Sequence, residues 1–161
     1  VFFIGLRKDL ANKFLVPKGF FSKVPKLILN FNDKPIPYIK IRDKNQLGYK
    51  INENAKTFKL WKLVKPGDNF SKVSGNGSWF NKTKLYANKV VPTFAAHSYL
   101  EFFDYEVPRK LSINEILKIS SFPLDYKCKY PLVGYICGMS VPSVMMARIV
   151  DELYKQWLQK L

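Results

Sequence analysis

Cysteine and histidine are scarce in this chain: Cys128, Cys137 and His97 are the only three among 161 residues. The two cysteines stand nine apart with no histidine beside them, a spacing that fits no zinc site. They read as partly buried thiols of a protein in a reducing, cytoplasmic compartment. No apolar run approaches the roughly 18 residues that a membrane span needs, and the opening apolar stretch is too short for a signal peptide. The sequons at Asn69, Asn76 and Asn81 therefore carry no weight, since only a secreted protein would use them. Internal repeats and low-complexity segments are absent. Acidic residues are few as well, 12 against 27 Lys and Arg, which leaves a net charge of +15.

What is present is a folding chain with a lopsided charge. Hydrophobic residues make up 47%, with 13 Phe, 9 Tyr and 3 Trp, which excludes disorder as the general state. Residues 1–97 carry 19 Lys and Arg against five acidic residues, whereas residues 98–161 carry eight against seven. A basic excess gathered in one stretch points to a polyanion, because each phosphate neutralised releases condensed counterions. The competing account is an AT-rich genome, which favours lysine and asparagine codons.

Along the chain, Val1 to Leu6 is an apolar run that predicts a buried strand of a parallel sheet. Asp9 to Phe14 reads as a helical turn or loop. Pro17, Gly19, Pro25, Pro35 and Pro37 break residues 16–42 into loop with short extended pieces at Leu27–Leu29 and Tyr38–Ile41. Residues 54–64 predict a helix with Phe58, Trp61 and Val64 on one face, stopped by Pro66-Gly67, and with Lys56, Lys59, Lys62 and Lys65 on a solvated face. Trp79-Phe80 and Lys84-Leu85-Tyr86 look like strand pieces beyond a flexible Gly75–Gly77 turn. Ser112 and Glu115 have the spacing of a capping box. The final helix, from about Val141 to Leu161, has Pro142 in its first turn and sets Met146, Val150, Leu153, Trp157 and Leu161 in a stripe that predicts core packing.

Three C-terminal pieces, in order, are distinctive: Arg109-Lys110-Leu111-Ser112 running on to Glu115, then Phe122-Pro123-Leu124-Asp125-Tyr126, then Gly138-Met139-Ser140-Val141-Pro142. Together with the opening Val1-Phe2-Phe3-Ile4-Gly5-Leu6-Arg7, this series resembles the C-terminal part of the DNA cytosine-5 methyltransferases. Their chains close with an R-x-L-(T/S)-x-x-E element, an F-P-x-x-Y turn and a G-N-S-V-P-type helix start. The resemblance implies an α/β fragment, α+β overall. Residues 1–15 would be one strand of a Rossmann-like catalytic domain, 16–108 a small, mixed, loop-rich target recognition domain, and 109–161 helices returning to the cofactor domain. A chain that opens in mid-strand is then expected to be a proteolytic or cut piece, or one subunit of a split enzyme.

The intact enzyme would transfer a methyl group from S-adenosyl-L-methionine to C5 of a cytosine in double-stranded DNA, as in restriction–modification systems. That chemistry needs a nucleophilic cysteine, a glutamate and a base lifted from the stack. In the family these lie in Pro-Cys-Gln and Glu-Asn-Val elements, and neither tripeptide occurs here, nor does the Gly-rich cofactor loop. The fragment is thus expected to be inactive alone, and neither Cys128 nor Cys137 is expected to be catalytic. DNA contacts are expected from Lys72, Lys82 and Lys84 to phosphate, from Asn76, Asn81 and His97 to base edges, and from Thr93 to the backbone. Thr93 stands where the family keeps a threonine before an aliphatic residue, here replaced by Phe94. Arg109 is expected to bridge the recognition and catalytic domains and to join the DNA-binding set. Phe122, Ser140 and Val141 are the expected wall of the cofactor site, although Met139 stands where asparagine is usual. Partners are duplex DNA and the missing catalytic half, and an apolar strand and helix without their sheet imply self-association. A stand-alone basic nucleic-acid-binding module is the alternative.

Overall fold

The computed structural model describes residues 2–11, 27–45, 48–75, 77–93, 96, 101–127, 129 and 132–161. Two strands of two residues each, β1 (Thr83–Lys84) and β2 (Phe102–Phe103), lie parallel, with Thr83 opposite Phe102 and Lys84 opposite Phe103. Single antiparallel bridges extend this ladder from Asn69 to Thr83, from Phe103 to Lys110, and from Lys50 to Arg109. The chain approaches so closely at the last edge that a Cβ on Gly48 would collide with the Lys110 carbonyl, a position that needs glycine. Around the ladder stand α1 (Lys8–Ala11), α2 (Tyr38–Ile41), α3 (Lys56–Leu63), α4 (Ser71–Ser74), α5 (Ile113–Ile119), α6 (Leu132–Met139) and α7 (Ser143–Gln156), with a 3-10 turn at Leu158–Lys160. The fold is thus a small mixture of α and β with two parallel strands.

Two compact units are present, Asp33–Ser143 and the pair of segments Val1–Asn32 with Val144–Leu161. Helices α5 and α6 therefore belong with the residues that precede them, whereas the sequence reading set a boundary at 108/109. The reason is packing. Ile116 and Leu117 of α5 and Val133 and Cys137 of α6 share one buried cluster with Tyr38, Leu85, Val91, Phe102 and Leu111. A second cluster joins Leu60, Val64, Phe70 and Phe103, with the Phe70 and Phe103 rings stacked at 4.9 Å. Helix α3 lies within the predicted range, with Leu60 buried and Lys56, Lys59 and Lys62 on its exposed side. Tyr38–Ile41, expected to be extended, is instead a helical turn that buries Tyr38.

The capping box forms as its sequence predicts: Glu115 N–H donates to Ser112 Oγ at 3.2 Å, and Ser112 N–H donates to Glu115 Oε2 at 2.7 Å. The Glu115 carboxylate does more than cap. Arg109 donates to both of its oxygens, from Nη1 at 2.7 Å and from Nη2 at 2.8 Å, and also to Asp104 Oδ2 at 2.9 Å. Arg42 holds Asp104 from the other side, with Nε 2.7 Å from Oδ2 and Nη2 3.0 Å from Oδ1. The Tyr38 hydroxyl lies within bonding distance of both carboxylates, 2.9 Å from Asp104 and 3.1 Å from Glu115. The amides of Glu106 and Val107 also donate to Asp104 Oδ1. Two guanidinium and two carboxylate groups thus meet in the interior with charges balanced, and no buried side-chain polar atom among the described residues lacks a partner. Half-satisfied, such a network would be strongly destabilising.

The second unit departs from expectation. Residues 2–7 form no strand, and Phe3 is 94% exposed. Extended chain is stable only with a neighbour to share its ladder, and none of the described residues supplies one. On α7 the predicted stripe exists, yet Met146, Val150 and Leu161 are exposed, Leu153 and Trp157 are half-buried, and the helix's buried residue is Ile149. The stripe is therefore not core packing within this chain. The Gln156 amide makes the unit's long-range tie, receiving Ile28 N–H at 3.0 Å and donating to Ile28 O at 2.7 Å. Contrary to the reading of apolar runs, Leu132–Lys160 is long and apolar enough by composition to cross a membrane, although Ser140 to Pro142 interrupt it between α6 and α7.

Burial alone would push the Asp104 carboxyl up, but the hydrogen bond from Arg42, the Val107 and Glu106 amides and the Arg109 charge outweigh it and hold its pKa below the usual carboxylate value. Its contribution is complete above the unfolded aspartate value near 3.9 and is lost as pH falls below it towards the lowered folded value. The urea midpoint should therefore stay level from neutral pH to about 5 and fall below about 4; Asp104→Asn should start lower and show a shallower acid limb. Arg109→Ala, which leaves the buried Glu115 carboxylate without its countercharge, should cost about 3–5 kcal/mol by urea unfolding.

Candidate nucleic-acid interface

Between α4 and β1 the chain reverses through three residues with positive φ: Gly75 at 78°, Gly77 at 67° and Trp79 at 71°. The glycines adopt this region without strain, but a tryptophan does so only when its surroundings force it. Trp79 is half-buried against the cluster of Leu60, Val64, Phe70 and Phe103. A tight turn follows, closed by Lys82 N–H donating to Trp79 O at 3.0 Å. Phe80 and Asn81 are its central residues, and both side chains face solvent. Trp79-Phe80 is thus a turn rather than the predicted strand piece, because the positive φ takes the chain out of the extended region. Ser74 Oγ fastens the loop's near side by donating to Ser78 O at 3.0 Å.

Lysine and tryptophan pair twice on this side of the ladder. Lys82 Nζ lies 5.0 Å from the Trp79 ring centre, and Lys84 Nζ lies 3.8 Å from that of Trp61. The two lysines differ in what remains free. Lys84 is only 7% exposed and donates to Trp61 O at 3.0 Å. Burial lowers its pKa, an effect that nearby Asp104 partly offsets. This corrects the expected phosphate contact, since the ammonium is directed inward. Lys82 stays half-exposed at the mouth of the turn. Near it, the Lys110 ammonium is pushed down first by burial and then by the charge of Lys82, with Glu101 opposing. Two like charges held in range of one another favour an anion that neutralises both. Lys110, Phe80 and Glu101 were not singled out from sequence; the available signal was a pair of adjacent aromatics directly after a Gly-rich turn.

The other expected contacts scatter. Lys72 is exposed on α4 and pairs with Asp68 at 2.6 Å, an i,i+4 surface pair. Asn76, His97 and Cys128 lie outside the described residues. Arg109 is 1% exposed and saturated by Asp104 and Glu115, which removes it from any direct DNA-binding role. Thr93 is exposed and is brought to the same small cavity, about 170 Å³, as Cys137, Gly138, Ser140 and Pro142.

Of the expected cofactor wall, Ser140 lines that cavity. At about 170 Å³ the cavity lies below the usual range of small-molecule sites, about 300 to 1,000 Å³. The Ser140 hydroxyl donates to Ile136 O at 2.7 Å, bonding back into α6 rather than capping α7. Val141 is exposed, and Phe122 packs beside the first core cluster with Tyr126 edge-on at 5.3 Å. These residues do not by themselves form a site for the cofactor. Cys137 is buried in the core cluster, as an inert thiol would be. The chain matches no protein-family model, no curated protein and no solved structure.

Lys82→Ala and Lys84→Ala should separate the two lysines by stability alone. Removing Lys84 uncovers Trp61 and its carbonyl and should cost about 1–3 kcal/mol in a urea titration; Lys82→Ala should stay within about 0.5 kcal/mol of the parent. Equal effects would contradict the inward placement of Lys84.

Proposed function

We propose that the chain is the DNA-recognising C-terminal portion of a DNA cytosine-5 methyltransferase. It acts with a catalytic portion, in the same chain or in a separate subunit, that brings the nucleophilic cysteine, the assisting glutamate and the cofactor loop. The observation that carries this reading is the order of the sequence pieces: Val1 to Arg7 ahead of a strongly basic segment, then the Arg109–Glu115 element, the Phe122–Tyr126 turn and the Gly138–Pro142 helix start. The structure is compatible with it in three ways. Apolar residues of the terminal segments and α7 are exposed, the basic segment packs with α5 and α6 around two core clusters, and its 79–82 turn carries an exposed aromatic and a half-exposed lysine.

On this reading the chain's residues bind and position rather than catalyse. Lys82 and Lys110 contact phosphate at the turn, and the exposed lysines of α3 add a diffuse attraction that aids encounter. Thr93, beside Gly138 and Pro142, touches the DNA backbone where the basic segment meets the returning helices. Arg109 serves as a positioning residue: by holding Glu115 it fixes the start of α5, and through the ladder it sets Lys110.

Fluorescence anisotropy with a labelled duplex tests the proposal. Affinity should fall at least tenfold between about 50 and 200 mM salt, the mark of counterion release. Lys82→Ala should weaken binding to all sequences alike and reduce the salt slope by about one. Absence of duplex binding at the lowest salt would refute it.

A further inference from the structure

Beside the 79–82 turn lies a cavity of about 260 Å³, lined by Ser78, Trp79, Phe80, Asn81, Lys82 and Glu101. Its contents differ from those of a phosphate site. Glu101 is one of its lining residues, and a carboxylate there repels phosphate. The same group is well matched to a donor, and the donors a nucleic acid exposes along its base edges are chiefly exocyclic amines. Asn81 adds an amide that both donates and accepts. Phe80, 65% exposed, adds a flat apolar face of the kind on which unstacked bases rest. The turn that holds Phe80 and Asn81 is closed by its own hydrogen bond and anchored through Trp79 in the second core cluster, and Glu101 stands directly before β2. The volume falls just below the range of small-molecule sites, about 300 Å³ upward, which suits one flat ring.

From these groups we infer that the cavity receives a single nucleobase carrying an exocyclic amine: cytosine, adenine or guanine, but not thymine. Glu101 accepts from the amine, Asn81 bonds the neighbouring edge atom, and Phe80 lies against the ring, while Lys82 at the rim meets the adjoining phosphate. This assignment rests on the proposed DNA-binding function and adds to it the class of base that is read and the residues that read it.

The test uses the full chain with oligo-deoxycytidine and oligo-deoxythymidine single strands of equal length, so that phosphate attraction is the same for both. The parent chain should favour deoxycytidine on the order of tenfold. Glu101→Ala should erase that preference, and Phe80→Ala should weaken both strands without altering the salt slope. Equal affinity of the parent for the two strands would overturn the inference, as would a preference that survives Glu101→Ala. So would binding of duplex DNA with neither single strand bound, and in each of these cases the proposed function would stand. If neither duplex nor single strands bind at low salt, the proposed function fails and this assignment with it.

Discussion

Two buried arginines and two buried carboxylates fix the arrangement of residues 33–143. Arg42 comes from one stretch of sequence and Asp104, Arg109 and Glu115 from another, and the Tyr38 hydroxyl lies within bonding distance of both acids. Apolar residues of the same shapes could fill this space at no loss of stability, since desolvating four charges offsets most of their attraction. What the charges add is a requirement for one register. Shifting the chain at 109 by one residue would leave the buried Glu115 carboxylate without its countercharge and Asp104 with Arg42 as its remaining ion-pair partner. The start of α5, the bridge at Lys50 and the turn at 104–107 are therefore set by one set of bonds.

That constraint gives the Arg-x-Leu-Ser-x-x-Glu pattern a physical meaning independent of any resemblance. Serine and glutamate cap the helix, leucine enters the core, and arginine pairs with the glutamate that the cap has already oriented. A glutamate serving both the cap and the ion pair is held by bonds in several directions. A serine–glutamate cap without the arginine would leave a buried carboxylate short of a countercharge.

The capping box, the lysine face of α3 and the last helix were legible in the sequence because each depends on residues three or four apart. Arg109's burial was not, because its partners are fixed by tertiary placement and the sequence reading gave it a bridging and DNA-binding part. Lys84 was misread for a similar reason: lysine is expected outside, and only the arrival of Trp61 gives its ammonium an inward carbonyl and an aromatic face. The stripe on α7 was read correctly as a pattern and wrongly as core, since periodicity reports which face is apolar and not what covers it. Asn81 and Lys82 were expected contacts, but the turn that carries them was not foreseen, because two aromatics in a row read as strand and nothing local announces a tryptophan with positive φ.

The two lysine–tryptophan pairs give the two neighbouring lysines different parts, and on the proposed function they would separate gripping from reading. Lys82 and Lys84 stand two apart, so they emerge on one side of the extended chain, and each meets a tryptophan. Lys84 is drawn in and stiffens the ladder, and Lys82 is left at the rim with its charge available. Lysine elsewhere in the basic segment is plentiful and exposed, an arrangement that attracts any polyanion and discriminates among none. Discrimination needs groups held in place, and the exposed side chains on this loop that the fold holds in place are those of the 79–82 turn, anchored from below by Trp79 and the Phe70–Phe103 stack. A single carboxylate there weakens general attraction slightly. On the proposed reading, that carboxylate, Glu101 beside the turn, is what would let one kind of base be told from another.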